Sequence, residues 1–307
     1  MRPTTLFRVS QHTTRATTRI TAPLQLRQHA RPLSAAAETA EPTITTRTFP
    51  APHTGLIKLL LLSRPAAKNA LSVSLVHSLQ HTLSAISSGA DKTTRAIIIG
   101  SAVPGVFCAG ADLKERRCMT PADVEQFLKS LRGCLHTLEN LPIPTISAIS
   151  GFALGGGLEL ALATDLRIVS PAAQLGLPET RLGIIPGAGG TYRLPRLVGR
   201  SRALDIILSG RRVGAIEAVQ IGLANRIVDL GDTEDWEGRE RTLDAALEVA
   251  REICTGAPIA IRVAKRVVSA QSEEAENRGY LQVVGTRDRD EALKAFKEKR
   301  NPVFEGL

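Results

Sequence analysis

The chain is 307 residues long, with 43% apolar and 22% charged residues, which is typical of a folded globular protein. No stretch reaches the ~18 uninterrupted apolar residues that a membrane-spanning helix needs, so we expect no membrane association. Aromatic residues make up only 3% of the chain, a poor basis for stacking nucleic-acid bases. Composition therefore excludes a wholly disordered or membrane-spanning chain and disfavours a nucleic-acid binder.

The net charge of +9 is concentrated at the N-terminus, where six arginines precede the first acidic residue, Glu38. Without those six arginines, 33 basic residues face 30 acidic ones, a net charge of +3. An Arg-, Ser- and Thr-rich segment without acidic residues is typical of a mitochondrial transit peptide; the alternative is a basic tail with no targeting role. We predict that residues 1–40 are a transit peptide and disordered leader and that the mature protein lies in the mitochondrial matrix.

Beyond the leader, apolar strands alternate with amphipathic helices, which indicates βαβ crossovers and a largely parallel sheet. The predicted strands are 43–49, 55–62, 95–100, 145–150 and 166–169, and the predicted helices between them are 72–87, 121–139 and 156–164. The remaining predicted helices are 187–197, 200–209, 235–254, 258–270 and 288–299. We therefore predict an α/β core over residues 41–235 and a helical C-terminal region over 236–307.

Motifs for several common chemistries are missing from the sequence. There is no G-x-S-x-G, no H-E-x-x-H and no P-loop lysine, and the four cysteines form no C-x-x-C pair. His77 and His81 have a spacing that can bind a metal, but a solvated helix face explains them better because no further ligand is nearby in sequence. We predict free thiols and no metal site.

Two strand–turn–helix junctions, at 107–113 and 153–159, are rich in glycine and alanine. Small residues let a ligand approach the backbone, and amide N–H groups at the start of a helix lack intrahelical partners. Two such turns on neighbouring parallel strands can direct one N–H each at a single oxygen, which would make an oxyanion hole. The alternative is a pair of tight turns that serve compact packing.

Two carboxylates lie close in sequence to these glycine-rich turns. Glu159 precedes the apolar run Leu-Ala-Leu-Ala, and Glu179 follows Leu-Gly-Leu-Pro. Burial without an adjacent cation perturbs the pKa of a carboxyl, and a pair in different environments can divide acid and base roles. They could equally be a charge at the start of a helix and a carboxylate in a turn.

Three stretches, 101–116, 151–165 and 177–195, together with F-K-E-K-R at 296–300, resemble the enoyl-CoA hydratase/isomerase, or crotonase, superfamily. The resemblance implies a crotonase-like spiral of ββα units and a helical C-terminal trimerisation region, assembled as a homotrimer or homohexamer. It implies an enzyme that adds water across the α,β double bond of an acyl-CoA substrate without any further cofactor.

The resemblance also implies roles for particular residues. The thioester oxygen would lie between the backbone N–H groups of Ala111 and Gly156, while Glu159 activates water and Glu179 protonates Cα. The residues implied in binding coenzyme A or substrate are Lys68, Ala109, Gly110, Asp112, Leu113, Lys114, Gly155 and Lys299. Asp112 would in addition cap the helix that follows it.

The resemblance favours 3-methylglutaconyl-CoA of leucine breakdown as substrate, with a general short-chain enoyl-CoA hydratase or isomerase of fatty-acid oxidation as the alternative. A glutaconyl group ends in a carboxylate that needs a cation, for which Arg116 and Arg117 are candidates unless they are merely exposed helix residues. RNA binding, which one member of the superfamily performs with a lysine-rich helix, is disfavoured because no lysine occurs from 69 to 91.

Overall fold

The computed structural model describes residues 43–230 and 238–307, so the predicted leader lies outside the described residues. The strands are β1 (Ile44–Pro50), β2 (Leu56–Leu62), β3 (Thr94–Ser101), β4 (Val106–Cys108), β5 (Thr145–Ile149), β6 (Phe152–Leu154), β7 (Leu166–Val169), β8 (Gln174–Gly176), β9 (Arg212–Gly214) and β10 (Arg226–Ile227). The helices are α1 (Val73–Ser87), α2 (Leu113–Arg116), α3 (Pro121–Glu139), α4 (Gly156–Leu162), α5 (Gly190–Val198), α6 (Arg200–Ser209), α7 (Ala215–Gln220), α8 (Arg239–Cys254), α9 (Pro258–Ala270), α10 (Glu273–Val284) and α11 (Arg287–Glu298).

The strands form two sheets. The larger has the order β1-β2-β3-β5-β7-β10 and is parallel except for the β1–β2 pair. The smaller has the order β4-β6-β8-β9, with an antiparallel β8–β9 pair. The predicted largely parallel sheet is therefore confirmed.

The chain repeats one supersecondary unit as it passes between the two sheets. A strand of the large sheet (β3, β5 or β7) is followed by a strand of the small sheet (β4, β6 or β8) and then by helical structure. This repetition is the predicted spiral of ββα units. Each three-residue strand of the small sheet is too short to show a hydrophobic period, so sequence analysis missed these strands.

Both faces of the large sheet are covered by helices. Successive side chains of a strand point to opposite faces, so neighbouring residues of one strand lie in different parts of the core. On β3, Ile97 and Ile99 belong to the core cluster that also contains side chains of α1 and α3. Ile98 lies in a second cluster, which α8 completes with Leu243 and Ala250. The uninterrupted Ile97-Ile98-Ile99 run is thus a fully buried strand.

Most predicted helices are confirmed, and those at 121–139, 200–209 and 258–270 have the bounds of α3, α6 and α9. The prediction of a helix from 187 is wrong at its start, because α5 begins at Gly190, after Gly189 with φ 113°. Helix α10 was missed because its Glu-Glu-Ala-Glu-Asn-Arg-Gly opening offers few apolar residues. No helix in residues 43–230 and 238–307 has the length and apolarity to cross a membrane. The predicted domain boundary at residue 235 stays a prediction.

Candidate active site

A cavity of about 750 Å³ lies where the ends of the small-sheet strands meet α3 and the segment 178–187. The predicted site residues that line it are Ala109, Gly110, Ala111, Leu113, Gly155, Gly156, Glu159 and Glu179. Most other lining side chains are aliphatic, among them Leu71, Leu128 and Ile184. The structure thus brings both glycine-rich junctions and both carboxylates to one apolar space.

The first junction follows β4 and is tied to the segment before α1. The Leu71 N–H donates to the Gly110 carbonyl at 2.7 Å, and the Asp112 N–H donates to the Leu71 carbonyl at 3.2 Å. Ala111 lies between these two bonds, and its own N–H donates to no carbonyl among the described residues. The Ala111 amide is therefore a free donor in the cavity wall.

The second junction follows β6, and Gly156 is the first residue of α4. An N–H in this position has no intrahelical acceptor, and no described carbonyl outside the helix accepts from it. A Cβ built on Gly156 would lie 3.8 Å from the Ala111 nitrogen, and one built on Gly110 would lie 3.5 Å from the Gly156 nitrogen. Two unpaired amide donors are thus neighbours, as an oxyanion hole requires.

Glu159 is held firmly in the first turn of α4. Its side chain is 3% exposed, and Oε1 accepts hydrogen bonds from the Ala188 N–H at 2.7 Å and the Gly190 N–H at 2.8 Å. Burial raises the pKa of this carboxyl, while the two N–H donors act in the opposite direction by favouring the ionised form. The arrangement suits a carboxylate that accepts a proton.

Glu179 opens a 3₁₀ turn and lies in a different environment. Burial, reinforced by the charge of Glu159, raises its pKa to about 7. Its Oε2 atom is buried and has no hydrogen-bond partner among the described residues. A carboxyl that keeps a proton near neutral pH and has a free oxygen suits a proton donor. The two glutamates therefore lie in different environments, as the members of an acid–base pair do.

Four predicted binding residues do not line the cavity. Asp112 caps α2, accepting from the Lys114 and Glu115 N–H groups, and pairs with Arg64 at 3.0 Å. Lys68 contributes its carbonyl, which accepts from the Ala109 N–H. Lys114 is exposed on α2, and Lys299 is exposed in a left-handed conformation after α11. Their roles toward coenzyme A stay predictions.

The sequence predicts free thiols and no metal site, and the structure describes the residues concerned in both predictions. All four cysteines are free. The Cys108 thiol is buried within the first junction, and burial raises its pKa to about 12. It donates to the Asn69 carbonyl, so it is a poor nucleophile. In the part of the chain that the structure describes, no cluster of three or more His, Cys, Asp or Glu side chains could hold a metal ion.

Arg193, which no sequence pattern singles out, is a buried residue behind the Glu159 site. Its guanidinium donates to the Ala188 carbonyl at 2.9 Å and to the Glu139 carboxylate at 2.8 Å. It thereby anchors the segment whose N–H groups bind Glu159. The only signal available in the sequence was an arginine in a helix that also contains the exposed Arg196, and a solvated helix position explains both equally well.

We expect Arg193→Met to lower kcat by about ten- to a hundredfold, the cost of misplacing a reacting group. Without Arg193 the segment is free to move, and Glu159 loses two donors and a nearby cation, all of which favour its ionised form. The pKa of Glu159 should therefore rise, and the acidic limb of kcat/KM should move to higher pH.

Arg196→Met is the matched control, because both arginines lie over the Tyr192 ring, Arg193 at 4.9 Å and Arg196 at 5.3 Å, but Arg196 is exposed and forms no hydrogen bond to the described segment. Arg193→Lys keeps the charge in case the methionine variant does not fold, and a smaller shift is expected. A folded Arg193→Met protein with an unchanged acidic limb would show that Arg193 does not position Glu159.

Known proteins match nearly the whole chain. The family model described as enoyl-CoA hydratase/isomerase matches residues 53–307. An enoyl-CoA isomerase/hydratase of Zymoseptoria tritici is 48% identical, covering 98% of this chain and 100% of the relative. Methylglutaconyl-CoA hydratase 1, mitochondrial, of Pyricularia oryzae is 46% identical (88% of this chain, 89% of the relative), and human mitochondrial methylglutaconyl-CoA hydratase is 44% identical (81% and 74%).

The structural comparison agrees with the sequence comparisons. The crystal structure of an enoyl-CoA hydratase from Bacillus anthracis has a TM-score of 0.79 to this chain and 41% sequence identity. The match covers 86% of this chain and 100% of that structure. The uncovered part of this chain is close in size to the N-terminal segment that precedes the described residues.

Proposed function

The chain belongs to the enoyl-CoA hydratase/isomerase family, and on that basis we propose that it adds water across the α,β double bond of an enoyl-CoA thioester. The observation that carries this proposal is the meeting of two free amide N–H groups and two buried carboxyls in one apolar cavity. The amides suit an enolate oxygen, and the carboxyls suit the transfer of one proton from water and one proton to carbon.

In the proposed mechanism the thioester oxygen lies between the Ala111 and Gly156 N–H groups. Glu159 takes a proton from water as the water oxygen bonds to Cβ, and the electron pair of the double bond moves toward the thioester oxygen. The two amides stabilise the resulting enolate, and Glu179 then delivers its proton to Cα. Proton exchange with solvent restores both carboxyls. These steps use groups of the chain and the substrate alone, so no cofactor enters the proposal.

The proposed substrate is 3-methylglutaconyl-CoA, an intermediate of leucine breakdown. The relatives from Pyricularia oryzae and human, at 46% and 44% identity, are named as hydratases of this compound. Two further features support hydration over isomerisation. The cavity holds two carboxyls, whereas an isomerase can work with one, and their unequal environments suit an acid and a base.

We expect kcat/KM for 3-methylglutaconyl-CoA to exceed that for crotonyl-CoA by at least about tenfold. Charge-assisted contacts to the free carboxylate of the methylglutaconyl group are worth at least that factor. Steady-state loss of the conjugated enoyl-thioester absorbance measures both reactions. If crotonyl-CoA is the better substrate, the chain is a general enoyl-CoA hydratase. Double-bond migration without water addition would identify an isomerase.

The proposal includes assembly and location. We propose a homotrimer or homohexamer, supported by large apolar side chains left exposed on the C-terminal helices, namely Tyr280, Leu281, Leu293 and Phe296.

The relatives from Pyricularia oryzae and human are named mitochondrial, and the composition of residues 1–37 fits import. We therefore propose that the mature enzyme lies in the matrix. That RNA binding is unlikely, and weak at most, stays a prediction, in keeping with the exposed Ser, His and Gln residues and the lack of lysine on α1.

A further inference from the structure

Arg116 is a cation in the cavity wall without a carboxylate partner. It ends α2, lines the cavity and is half-buried. Its guanidinium lies 4.9 Å from the centre of the Phe127 ring, and it forms no ion pair with a described residue. Burial lowers its pKa, and no carboxylate offsets that effect. A half-buried guanidinium of this kind leaves several N–H donors for a ligand.

The carboxylates close to Arg116 in sequence are committed elsewhere. Glu115 accepts a hydrogen bond from the Val73 N–H at 3.0 Å. Asp112 pairs with Arg64, and Asp123 is the acidic member of the capping box at the start of α3. Among the described residues, none of these three carboxylates forms an ion pair with Arg116.

A second guanidinium lines the same cavity. The Nε–H of Arg132 donates to the Gly187 carbonyl at 2.6 Å, and its terminal nitrogens make no hydrogen bond to a described residue. Arg116, assisted by the more exposed Arg132 whose charge also acts on Glu159, favours an anionic ligand in a cavity that is otherwise largely aliphatic apart from the catalytic pair. A guanidinium binds a carboxylate or a phosphate through paired N–H donors.

We infer that Arg116, assisted by Arg132, binds the distal carboxylate of a dicarboxylic enoyl-CoA and thereby selects the substrate. The inference rests on the proposed function and names the residues that would distinguish a glutaconyl group from a crotonyl group. The apolar walls would hold the carbon chain, while Arg116 would receive its charged end. Arg117, the other candidate from sequence, is exposed and does not line the cavity.

The test compares glutaconyl-CoA with crotonyl-CoA, which differ only in that carboxylate. We expect Arg116→Met to reduce kcat/KM for glutaconyl-CoA by about ten- to a hundredfold, the value of charge-assisted hydrogen bonds, mainly through KM. The value for crotonyl-CoA should change by less than about threefold, because methionine keeps an apolar contact with Phe127. Arg116→Lys should lie between wild type and Arg116→Met, since lysine lacks the paired donors.

Arg117→Met is the matched control and should leave both substrates unaffected. The phosphates of coenzyme A are the other possible source of an anion, and they are common to both substrates. Equal losses with the two substrates would therefore assign Arg116 to coenzyme A and overturn the inference, as would no loss with either. If the wild-type protein hydrates neither of these thioesters nor 3-methylglutaconyl-CoA, the proposed function fails; if it hydrates both test thioesters and the variant does not discriminate, only the inference fails.

Discussion

Glu179→Gln is expected to lower kcat for hydration by about 10²- to 10⁴-fold, the range that a positioned acid–base group contributes. Glutamine keeps the shape of the side chain but has no proton to deliver to Cα. Glu159→Gln should cause a loss of similar size, because an amide cannot accept a proton from water. Single-turnover hydration of the enoyl thioester measures both losses directly.

Stability separates a chemical loss from a structural one in this experiment. The pKa of Glu179 is raised from 4.5 to about 7 in the folded protein, so folding favours its protonated form. That stabilising contribution is complete below about pH 4.5 and is lost as the pH rises through about 7. Glutamine does not ionise, so Glu179→Gln should have a Tm at pH 8 that equals or exceeds that of wild type.

Glu248→Gln is a matched control, since Glu248 is exposed on α8, on the far side of the large sheet from the cavity. It should change neither kcat nor Tm. A variant at 159 or 179 that keeps near-full activity would remove that residue from the acid–base pair. A mechanism with one carboxylate would then be favoured.

The pH dependence of the wild-type enzyme provides a second measure of the same assignment. Because Glu179 must hold a proton, kcat/KM should fall as the pH rises through about 7. Two interacting carboxyls titrate as a pair, so the apparent value belongs to both. An alkaline limb that begins only far above neutral pH would argue against Glu179 as the proton donor.

Local patterns in the sequence were sufficient to locate both carboxylates. Glu159 follows three glycines and precedes four apolar residues, so its helix and its burial could both be predicted from neighbouring residues. The residues that bind Glu159 could not, because Ala188 and Gly190 reach it from about 30 positions further along the chain. The sequence 187–190 is rich in glycine, but glycine alone does not show what its amides bind.

The same limit applies to the cations and the small sheet. Arg116 and Arg117 are adjacent in sequence and chemically identical, and only the fold places the first on the cavity, with its guanidinium over the Phe127 ring of α3. The strands of the small sheet bury Phe107, Ala153 and Leu175 in the core, but at three residues each they are too short to show a hydrophobic period. Contacts between distant segments decided each of these features, and single-sequence patterns do not contain them.

Gly157→Ala tests the close approach of the two junctions and should be among the most damaging small substitutions in the chain. A Cβ on Gly157 would lie 2.2 Å from the Cys108 carbonyl oxygen, so the backbone of one junction must move. Gly157 directly follows Gly156, and a shift there displaces the Gly156 N–H from its place beside Ala111. Loss of one oxyanion donor costs about 10²- to 10³-fold in kcat.

Gly133→Ala is the control, because Gly133 lies in α3 at a position where an added Cβ would have no neighbouring atom within 4 Å. There alanine should raise the stability by about 0.5–1 kcal/mol through helix propensity and leave kcat unchanged. Thermal unfolding and kcat are measured on both variants, and circular dichroism establishes that each is folded. A Gly157→Ala protein with wild-type kcat and Tm would contradict the packing of the two junctions, since no backbone could then have moved to admit the methyl group.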